Sequence, residues 1–261
     1  MRKIVLTLAL CAAFVSAQDW ARAKVDKSPR HREWVTVKYG DRKVETFAAY
    51  PESSHNTPVI VVIHEIFGHS DWVEAVTDEF AAAGYIALSP DLLSGMAPNG
   101  GRTSDFPSGG VGPAIQKLPP DQITADLNAV ADYGLKLPSA TKKLFVTGFC
   151  WGGGQAFRFA TNRPDLASAM VFYGPPPEKE SLARIKAPVY GFYGGTDNRI
   201  GAMVPGTVAD MKALGKFYEP VTYEGAGHGF MRAGEQPDPS PANAKGREEA
   251  WDRIKKIMSS H

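Results

Sequence analysis

The sequence predicts a single α/β domain with a mainly parallel central sheet, helices on both faces and a β-hairpin in front. Short, continuous apolar runs rich in β-branched residues recur along the chain, which is the pattern of strands covered on both faces. Helix-length amphipathic segments lie between these runs, and such alternation is typical of parallel sheets. The 261 residues are 43% hydrophobic, so the chain can bury a substantial core.

The elements follow in chain order within a domain predicted at residues 33–258. The polar segment 18–32 is expected to be a loose N-terminal arm. Alternating residues at 33–39 and 43–50, joined by Gly40-Asp41, predict the hairpin. Buried strands are then expected at 58–63, 85–88, 144–149, 169–173, 188–193 and, from a weaker pattern, 217–223. Amphipathic helices are expected at 71–83, 120–135, 152–161, 204–214 and 242–258.

One segment, 95–120, interrupts this alternation. It holds six Gly and five Pro in 26 residues and shows no apolar periodicity. Loops of this length inside a compact domain are usually functional or disordered. We favour a flap over a binding site, and a solvated insertion is the alternative.

Composition and charge exclude several protein classes. The chain has 29 Lys+Arg and 28 Asp+Glu, a formal net charge of +1, which offers no basic surface for nucleic acid. Its 26 Gly, 20 Pro and 22% charged residues are ordinary for a globular protein and exclude a disordered or collagen-like chain. We therefore expect a small-molecule ligand and no nucleic-acid partner.

The first 17 residues are predicted to be a signal peptide. Arg2 and Lys3 precede an apolar run at 4–14, which is too short to span a bilayer, and Val15-Ser16-Ala17 supplies the small residues that a signal peptidase needs. Cleavage would place the mature chain in the periplasm or outside the cell, without a stable membrane anchor. Cys150 would then be its only cysteine, with no partner for an internal disulfide.

The strongest local motif is Gly148-Phe149-Cys150-Trp151-Gly152-Gly153. It lies between a predicted strand and a predicted helix, the context of a G-x-nucleophile-x-G elbow. Glycines are needed there because the turn is tight and leaves no room for side chains. The helix N-terminus would stabilise a thiolate on Cys150, and the Trp151 amide is a candidate oxyanion donor. A buried, inert cysteine is the alternative.

A thiol nucleophile needs a base and a group that orients it. In elbow hydrolases the acid and then the histidine follow the nucleophile along the chain. His228 lies in a glycine-rich loop after the last predicted strand, whereas His261 is the terminal residue. Asp197 directly follows the strand predicted at 188–193, at the sheet edge expected for Cys150. A histidine in a surface loop and a turn-forming aspartate are the respective alternatives.

The segment His64-Glu65-Ile66-Phe67-Gly68-His69 superficially resembles a zinc motif. Its histidines are five residues apart, about 140° around a helix, so one face cannot present both. We expect no metal and no cofactor. The segment follows the strand predicted at 58–63, where an elbow hydrolase keeps its second oxyanion amide, here that of Ile66. This position brings the Glu65 carboxylate near the thiol.

Together these segments resemble the dienelactone hydrolase family, a cysteine-dependent branch of the α/β-hydrolases. The matching pieces occur in family order between about residues 35 and 255. They are His64-Glu65-Ile66-Phe67-Gly68, Ser89-Pro90-Asp91-Leu92, Gly148-Phe149-Cys150-Trp151-Gly152-Gly153, Gly194-Gly195-Thr196-Asp197 and Gly227-His228-Gly229-Phe230.

The resemblance implies an α/β-hydrolase fold and assigns a role to each site residue. By position, Cys150 is the nucleophile, His228 the base and acid, Asp197 its orienter, and Ile66 and Trp151 the oxyanion amides. Glu65 matches the family glutamate that helps to generate the thiolate when substrate binds.

Family members that cleave dienelactone bind its carboxylate with two arginines, and this chain matches only one. Arg232, four residues after His228, matches the second of these arginines, whereas Leu93-Ser94-Gly95 stands where the first arginine is expected. Phe67 and Phe230 are further candidate substrate contacts.

The sequence thus predicts an exported hydrolase that cleaves small esters or lactones, of the carboxymethylenebutenolidase type, through a thioester. A general carboxylesterase or thioesterase of the same fold and a non-catalytic ligand-binding member are the alternatives. A peroxide-reactive redox thiol would lack a resolving cysteine.

Overall fold

The structure, a computed structural model, describes residues 18–261. Its central sheet has the strand order β1-β2-β4-β3-β5-β6-β7-β8. The strands are β1 (Arg32–Tyr39), β2 (Arg42–Ala49), β3 (Thr57–Ile63), β4 (Ile86–Pro90), β5 (Ala140–Phe149), β6 (Leu166–Phe172), β7 (Val189–Gly194) and β8 (Tyr218–Tyr223). β3 to β8 are mutually parallel, and the β1–β2 hairpin joins them antiparallel through β4.

Helices cover both faces of this sheet. The α-helices are α1 (Asp19–Lys27), α2 (Asp71–Ala82), α3 (Val111–Gln116), α4 (Pro120–Lys136), α5 (Trp151–Asn162), α6 (Asn198–Gly201), α7 (Val204–Ala213), α8 (Phe230–Ala233) and α9 (Pro241–Ser259). Short 3₁₀ turns occur at Pro98–Gly100, Thr103–Asp105 and Lys179–Arg184. The fold class, the hairpin and the strand–helix alternation are confirmed.

The apolar runs form strands because each of them has two buried faces. In β3, Val59, Val61 and Ile63 pack in the hydrophobic cluster on one side of the sheet, and Ile60 and Val62 pack in the cluster on the other. Successive strand side chains point to opposite faces, so both layers of helices need an unbroken apolar run. Burial of apolar surface, which contributes roughly 25 cal/mol of free energy per Å², then stabilises the packing of the helix layers on the sheet.

The parallel strands decide where the polar loop residues meet. β3, β5 and β7 end at the same edge of the sheet, and the segments that follow them carry His64 to Ile66, Cys150 and Asp197. His228 follows β8, the neighbour of β7. Loops at the carboxyl ends of parallel strands are the usual place for a site in such sheets.

The N-terminal arm differs from the expectation. Residues 19–27 form helix α1, and Ala21 and Val25 are buried against the domain. The spacing of four residues puts both side chains on one helix face. Arg22 Nη1 pairs with Glu74 Oε2 at 2.8 Å, and the Trp72 amide donates to Gln18 Oε1 at 3.1 Å. The segment is therefore docked on α2, and a loose arm was the wrong expectation.

The segment 95–120 is also packed on the domain. The amide and hydroxyl of Thr103 donate to the two carboxylate oxygens of Asp91 at 2.8 and 2.7 Å. Ile115 and Leu118 are buried in the core. These contacts tie the segment to the end of β4, so it is not a solvated insertion, and the short helix α3 within it was missed by periodicity. Its opening and closing as a flap remains a proposal.

The predicted signal peptide, residues 1–17, lies outside the described residues. Across residues 18–261, no helix combines the length and the apolar character needed to cross a membrane.

Candidate active site

Cys150 sits at a sharp turn between β5 and α5. Its backbone has φ 57° and ψ −118°, a conformation that costs a non-glycine residue about 1–3 kcal/mol and clusters at functional sites. Two hydrogen bonds hold it there: the Cys150 amide donates to the Phe172 carbonyl at 3.0 Å, and the Gly154 amide donates to the Cys150 carbonyl at 3.2 Å. The side chain is partly exposed, so Cys150 is not a fully buried core residue.

The glycines of the elbow are required by close backbone approaches. A Cβ on Gly148 would overlap the Gly152 carbonyl, and one on Gly153 would overlap the Phe172 carbonyl. A Cβ on Gly152 would lie 2.5 Å from the Ile63 carbonyl oxygen. The last contact shows that the elbow presses against the end of β3, which brings Cys150 beside the segment that begins at His64.

His228 and Asp197 form the shortest contact of the site. The His228 Nδ1–H donates to Asp197 Oδ2 at 2.5 Å, with 34% of the histidine side chain and 7% of the aspartate side chain exposed. The hydrogen bond with the Cys150 side chain, opposed by partial burial and reinforced by Asp197, raises the pKa of His228 to about 9. The structure therefore brings together the sulfur, the imidazole and the carboxylate that the sequence singled out.

Local contacts position the two partners. Asp197 precedes the short helix α6, and its Oδ1 accepts from the Ile200 amide at 3.3 Å while Oδ2 holds the histidine. The carboxylate thus serves both the turn and the imidazole. The Gly227 amide donates to Asn243 Oδ1 at 2.9 Å, which fixes the loop that carries His228. Sequence reasoning missed Asn243, which lies 15 positions further along the chain in α9.

Glu65 is paired with Arg232. Its side chain is 2% exposed, and Glu65 Oε2 accepts from Arg232 Nε at 2.7 Å. Burial raises the pKa of Glu65, against the opposing effects of Arg232 and then His228. Arg232, expected to contact substrate, is therefore engaged by a carboxylate of the protein itself, and the Glu65 carboxylate is held beside the cysteine and histidine loops.

The two candidate oxyanion donors belong to segments in contact. Trp151 is the first residue of α5, so its amide has no acceptor within the helix. Ile66 lies in a turn closed by the Gly68 amide, which donates to the Glu65 carbonyl at 3.0 Å. The rings of His64 and Trp151 stack at 5.4 Å between centroids, and this contact joins the two segments.

His64 has hydrogen-bond partners in the protein, whereas His69 is held by ring contacts. His64 Nδ1 contacts the Glu65 carbonyl at 2.9 Å, and its Nε2 accepts from the Leu92 amide at 3.4 Å. His69 is buried with its ring 4.7 Å from that of Trp34. Within residues 18–261, no cluster of three or more His, Cys, Asp or Glu side chains is arranged to hold a metal ion.

The two phenylalanines expected to contact substrate have different surroundings. Phe67 is 54% exposed, and the Arg232 guanidinium lies 5.3 Å from its ring centroid. Phe230 is fully buried, with its ring 5.5 Å from Tyr173 and 5.0 Å from Tyr223. Its assignment as a substrate contact was wrong, because the turn into α8 directs the ring into the core.

Tyr173, at the end of β6, is a site residue that the sequence reasoning missed. Its backbone has φ 40°, its ring packs 5.1 Å from that of His228, and its buried hydroxyl has no hydrogen-bond partner among the described residues. Burial, followed by the charge of Glu65, raises its pKa well above the ordinary value. The available signal was its position: a tyrosine followed by Gly174 at the carboxyl end of a buried strand.

Comparison with known proteins identifies the family of the chain. The model of the dienelactone hydrolase family matches residues 44–261. A protein of Escherichia coli (strain K12), named "Putative carboxymethylenebutenolidase", is 31% identical over 227 residues, which cover 82% of this chain and 81% of that protein. A protein of the same name from Saccharolobus solfataricus is 29% identical over 254 residues, covering 83% and 93%.

Solved structures show the same fold. The "Putative Dienelactone Hydrolase" of Klebsiella pneumoniae subsp. pneumoniae superposes with a TM-score of 0.77 at 23% identity, covering 90% of this chain and 100% of that one. The dienelactone hydrolase of Anabaena variabilis gives 0.67 at 19%, covering 90% and 99%. With the family match and the curated relatives, the chain is a hydrolase of the ester or lactone type with the α/β-hydrolase fold, and it belongs to the dienelactone hydrolase family.

Proposed function

We propose that this chain is an exported enzyme that hydrolyses small esters or lactones through a Cys150 nucleophile and a thioester intermediate. The observation that carries the proposal is the partly exposed sulfur at the elbow, which interacts with His228, itself bonded to Asp197 at 2.5 Å. A nucleophile, a base and a group that orients the base are the parts that acyl transfer needs.

In the first step the sulfur attacks the substrate carbonyl. Because the pKa of His228 is raised to about 9, the imidazolium is favoured at neutral pH, and a neighbouring imidazolium stabilises a thiolate. The thiolate forms a bond to the carbonyl carbon, and the negative charge moves to the carbonyl oxygen. The amides of Ile66 and Trp151 would donate to this oxyanion.

Collapse of the tetrahedral intermediate breaks the bond to the leaving oxygen. His228 gives that oxygen its proton, which leaves a thioester on Cys150 and a neutral imidazole. The imidazole then takes a proton from water as the water oxygen adds to the thioester carbonyl. Cleavage of the C–S bond releases the carboxylic acid and restores the thiolate–imidazolium pair. Asp197, bonded to Nδ1, leaves Nε2 of His228 as the nitrogen that exchanges these protons.

Glu65 would take part in generating the thiolate, as the family resemblance implies. The buried pair of Glu65 and Arg232, with a nitrogen–oxygen distance of 2.7 Å, supports this role, because a substrate that disturbs Arg232 would release a buried carboxylate beside the sulfur. Burial raises the pKa of Glu65, which improves the carboxylate as a proton acceptor. Replacing Glu65 by Gln should then slow acylation more than release of the acyl group.

Export is proposed from residues 1–17. Cleavage after Ala17 would leave Gln18 at the N-terminus, directly before α1 and with its side chain already bonded to the Trp72 amide. Expression of the full chain in a Gram-negative host, followed by fractionation and N-terminal sequencing, checks this point. A mature protein that begins at Gln18 in the periplasm or medium supports export, and an intact chain in the cytoplasm contradicts it.

The cysteine mechanism is tested with Cys150→Ala and Cys150→Ser. Hydrolysis of 4-nitrophenyl esters should fall by about a thousandfold or more in Cys150→Ala, since nucleophile removal leaves only binding and oxyanion stabilisation. A covalent acyl-enzyme of the substrate's acyl mass should form in the wild type and be absent from Cys150→Ala. Undiminished turnover in Cys150→Ala would end the proposal. No turnover by the wild type, together with slow iodoacetamide labelling from pH 6 to 9, would favour a non-catalytic ligand-binding member.

A further inference from the structure

A cleft of about 440 Å³ opens beside the oxyanion segment. One wall is formed by Ile66 and Phe67, and the other by residues 108–113, where Val111 and Pro113 contribute apolar side chains. Of the described residues that line the cleft, none is charged, and Ser108 alone has a polar side chain. Its size falls in the range of small-molecule sites.

The cleft shares one residue, Ile66, with the candidate oxyanion site. This residue carries the candidate oxyanion amide, and it also lines the cleft. A substrate carbonyl held by that amide therefore has one of its substituents within reach of the cleft. Phe67, on the same wall, extends toward Arg232, whose guanidinium lies 5.3 Å from the ring centroid, so the cleft adjoins the Glu65–Arg232 pair.

The far wall is held in place by the same contacts that anchor segment 95–120. Gly68 has φ +74°, and a Cβ there would lie 2.9 Å from Val111 Cγ1 and 2.7 Å from Thr103 Oγ1. Thr103 is in turn bonded to both oxygens of Asp91. The two walls of the cleft are thus packed against each other at Gly68.

The lining of the cleft provides no cationic partner for a carboxylate. Arg232 does not line the cleft and is paired with Glu65 at 2.7 Å. Arg102, the first arginine after β4, stacks its guanidinium 3.6 Å over the Trp34 ring and does not line the cleft. A charged group in an apolar site without a partner carries a large desolvation cost, whereas each apolar methylene removed from water is favourable.

We infer that the cleft binds an uncharged, apolar substituent of the ester or lactone and discriminates against a substituent that ends in a carboxylate. The inference rests on the proposed function and names the substrate class for the same site. Val111 and Phe67 are its specificity-determining residues, and their contribution is read from relative rates on substrates that differ only in the substituent.

The test compares kcat/KM of the full chain on 4-nitrophenyl acetate, 4-nitrophenyl hexanoate and mono(4-nitrophenyl) adipate. Hexanoate should exceed acetate, by roughly fourfold for each methylene that the cleft buries. Adipate has the chain length of hexanoate but ends in a carboxylate, and it should be at least about tenfold slower than hexanoate. Equal or faster turnover of the adipate ester would overturn the inference.

Variants assign the preference to the cleft. Val111→Asp should lower the hexanoate-to-acetate ratio at least about tenfold, and Phe67→Ala, which removes an exposed ring, should lower it in the same direction. Val208→Asp makes the Val111 change on the exposed surface of α7 and should leave the ratio unaltered. A ratio that stays at the wild-type value in both Val111→Asp and Phe67→Ala would contradict the assignment.

Failure of the proposed function gives a different result. If Cys150→Ala keeps full turnover of hexanoate, the cysteine mechanism is wrong, whatever the substrate preference. If the wild type hydrolyses none of the esters, protection of Cys150 from iodoacetamide is measured instead. Hexanamide should then protect and adipamic acid should not, and the reverse order would overturn the inference about the cleft.

Discussion

The pKa of His228 should fall when the sulfur is removed. It lies at about 9, against about 6.5 for an ordinary histidine. At about 1.4 kcal/mol for each pH unit, the site favours the imidazolium by roughly 3 kcal/mol before solvent screening is considered. Because 34% of the side chain is exposed, screening reduces this figure. The hydrogen bond with Cys150 is the largest cause and Asp197 a smaller one.

We therefore expect Cys150→Ala to lower the pKa of His228 by at least about one unit, and Asp197→Asn to lower it by less. The assay is an NMR titration of the histidine ring carbons and protons from pH 5 to 10, with His228→Asn to identify the resonance among the six histidines. Cys150→Ser, which keeps a neutral hydroxyl at the elbow, separates the charge of the sulfur from its hydrogen bond. A His228 pKa that remains near 9 in Cys150→Ala would refute the reasoning.

Three further predictions concern stability and are checked by urea unfolding. Gly153→Ala should lower the free energy of unfolding by several kcal/mol and abolish turnover, because the new methyl group meets backbone atoms. Gly206→Ala, with open space around it in α7, should be neutral or stabilising by up to about 1 kcal/mol. Equal effects of the two variants would contradict the elbow packing. Burial lowers the pKa of His69 to about 3, so below pH 6.5 the unfolded chain binds a proton that the folded chain does not. The free energy of unfolding should therefore fall as the pH drops below 6.5, by up to about 2 kcal/mol at pH 4.5. This loss should be smaller in His69→Phe. Ala21→Asp, on the buried face of α1, should lower the free energy of unfolding by about 2 kcal/mol or more. Ala23→Asp, on the exposed face of the same helix, should lower it by less than about 0.5 kcal/mol. Similar values for the two variants would argue against docking of α1.

Much of the site could be predicted because its signals are local. The elbow at Cys150 is a strand, a tight turn and a helix within a dozen residues, and Gly148 is needed for a backbone approach inside the turn. Gly152 and Gly153 are needed because the turn also meets the ends of β3 and β6. Asp197 follows from a topological rule, since the ends of parallel strands meet at one edge of the sheet, and His228 follows from the order of nucleophile, acid and histidine in elbow hydrolases. The 2.5 Å contact between them follows from the adjacency of β7 and β8.

Other features depend on contacts that no local pattern records. Arg232 and Glu65 are 167 positions apart and form a buried pair, so a residue that looked available to substrate is already engaged. Phe230 and Phe67 are both aromatic residues in glycine-containing loops, yet one faces the core and the other solvent, because α8 and the turn after β3 orient them differently. Tyr173 lies beside His228 because β6 pairs between β5 and β7, and the residues around Tyr173 do not record this strand order.

The amino-acid sequence by itself determined the layered α/β architecture, the order of its strands along the chain and which residues are proposed as nucleophile, base and acid. Each of these follows from periodicity or from a short motif, and both act over a few neighbouring residues. Only the tertiary structure decided that α1 docks, that segment 95–120 forms a wall and that Arg232 is held by Glu65. These outcomes depend on which distant surfaces bury one another, and the free energy of that burial is a property of the assembled fold.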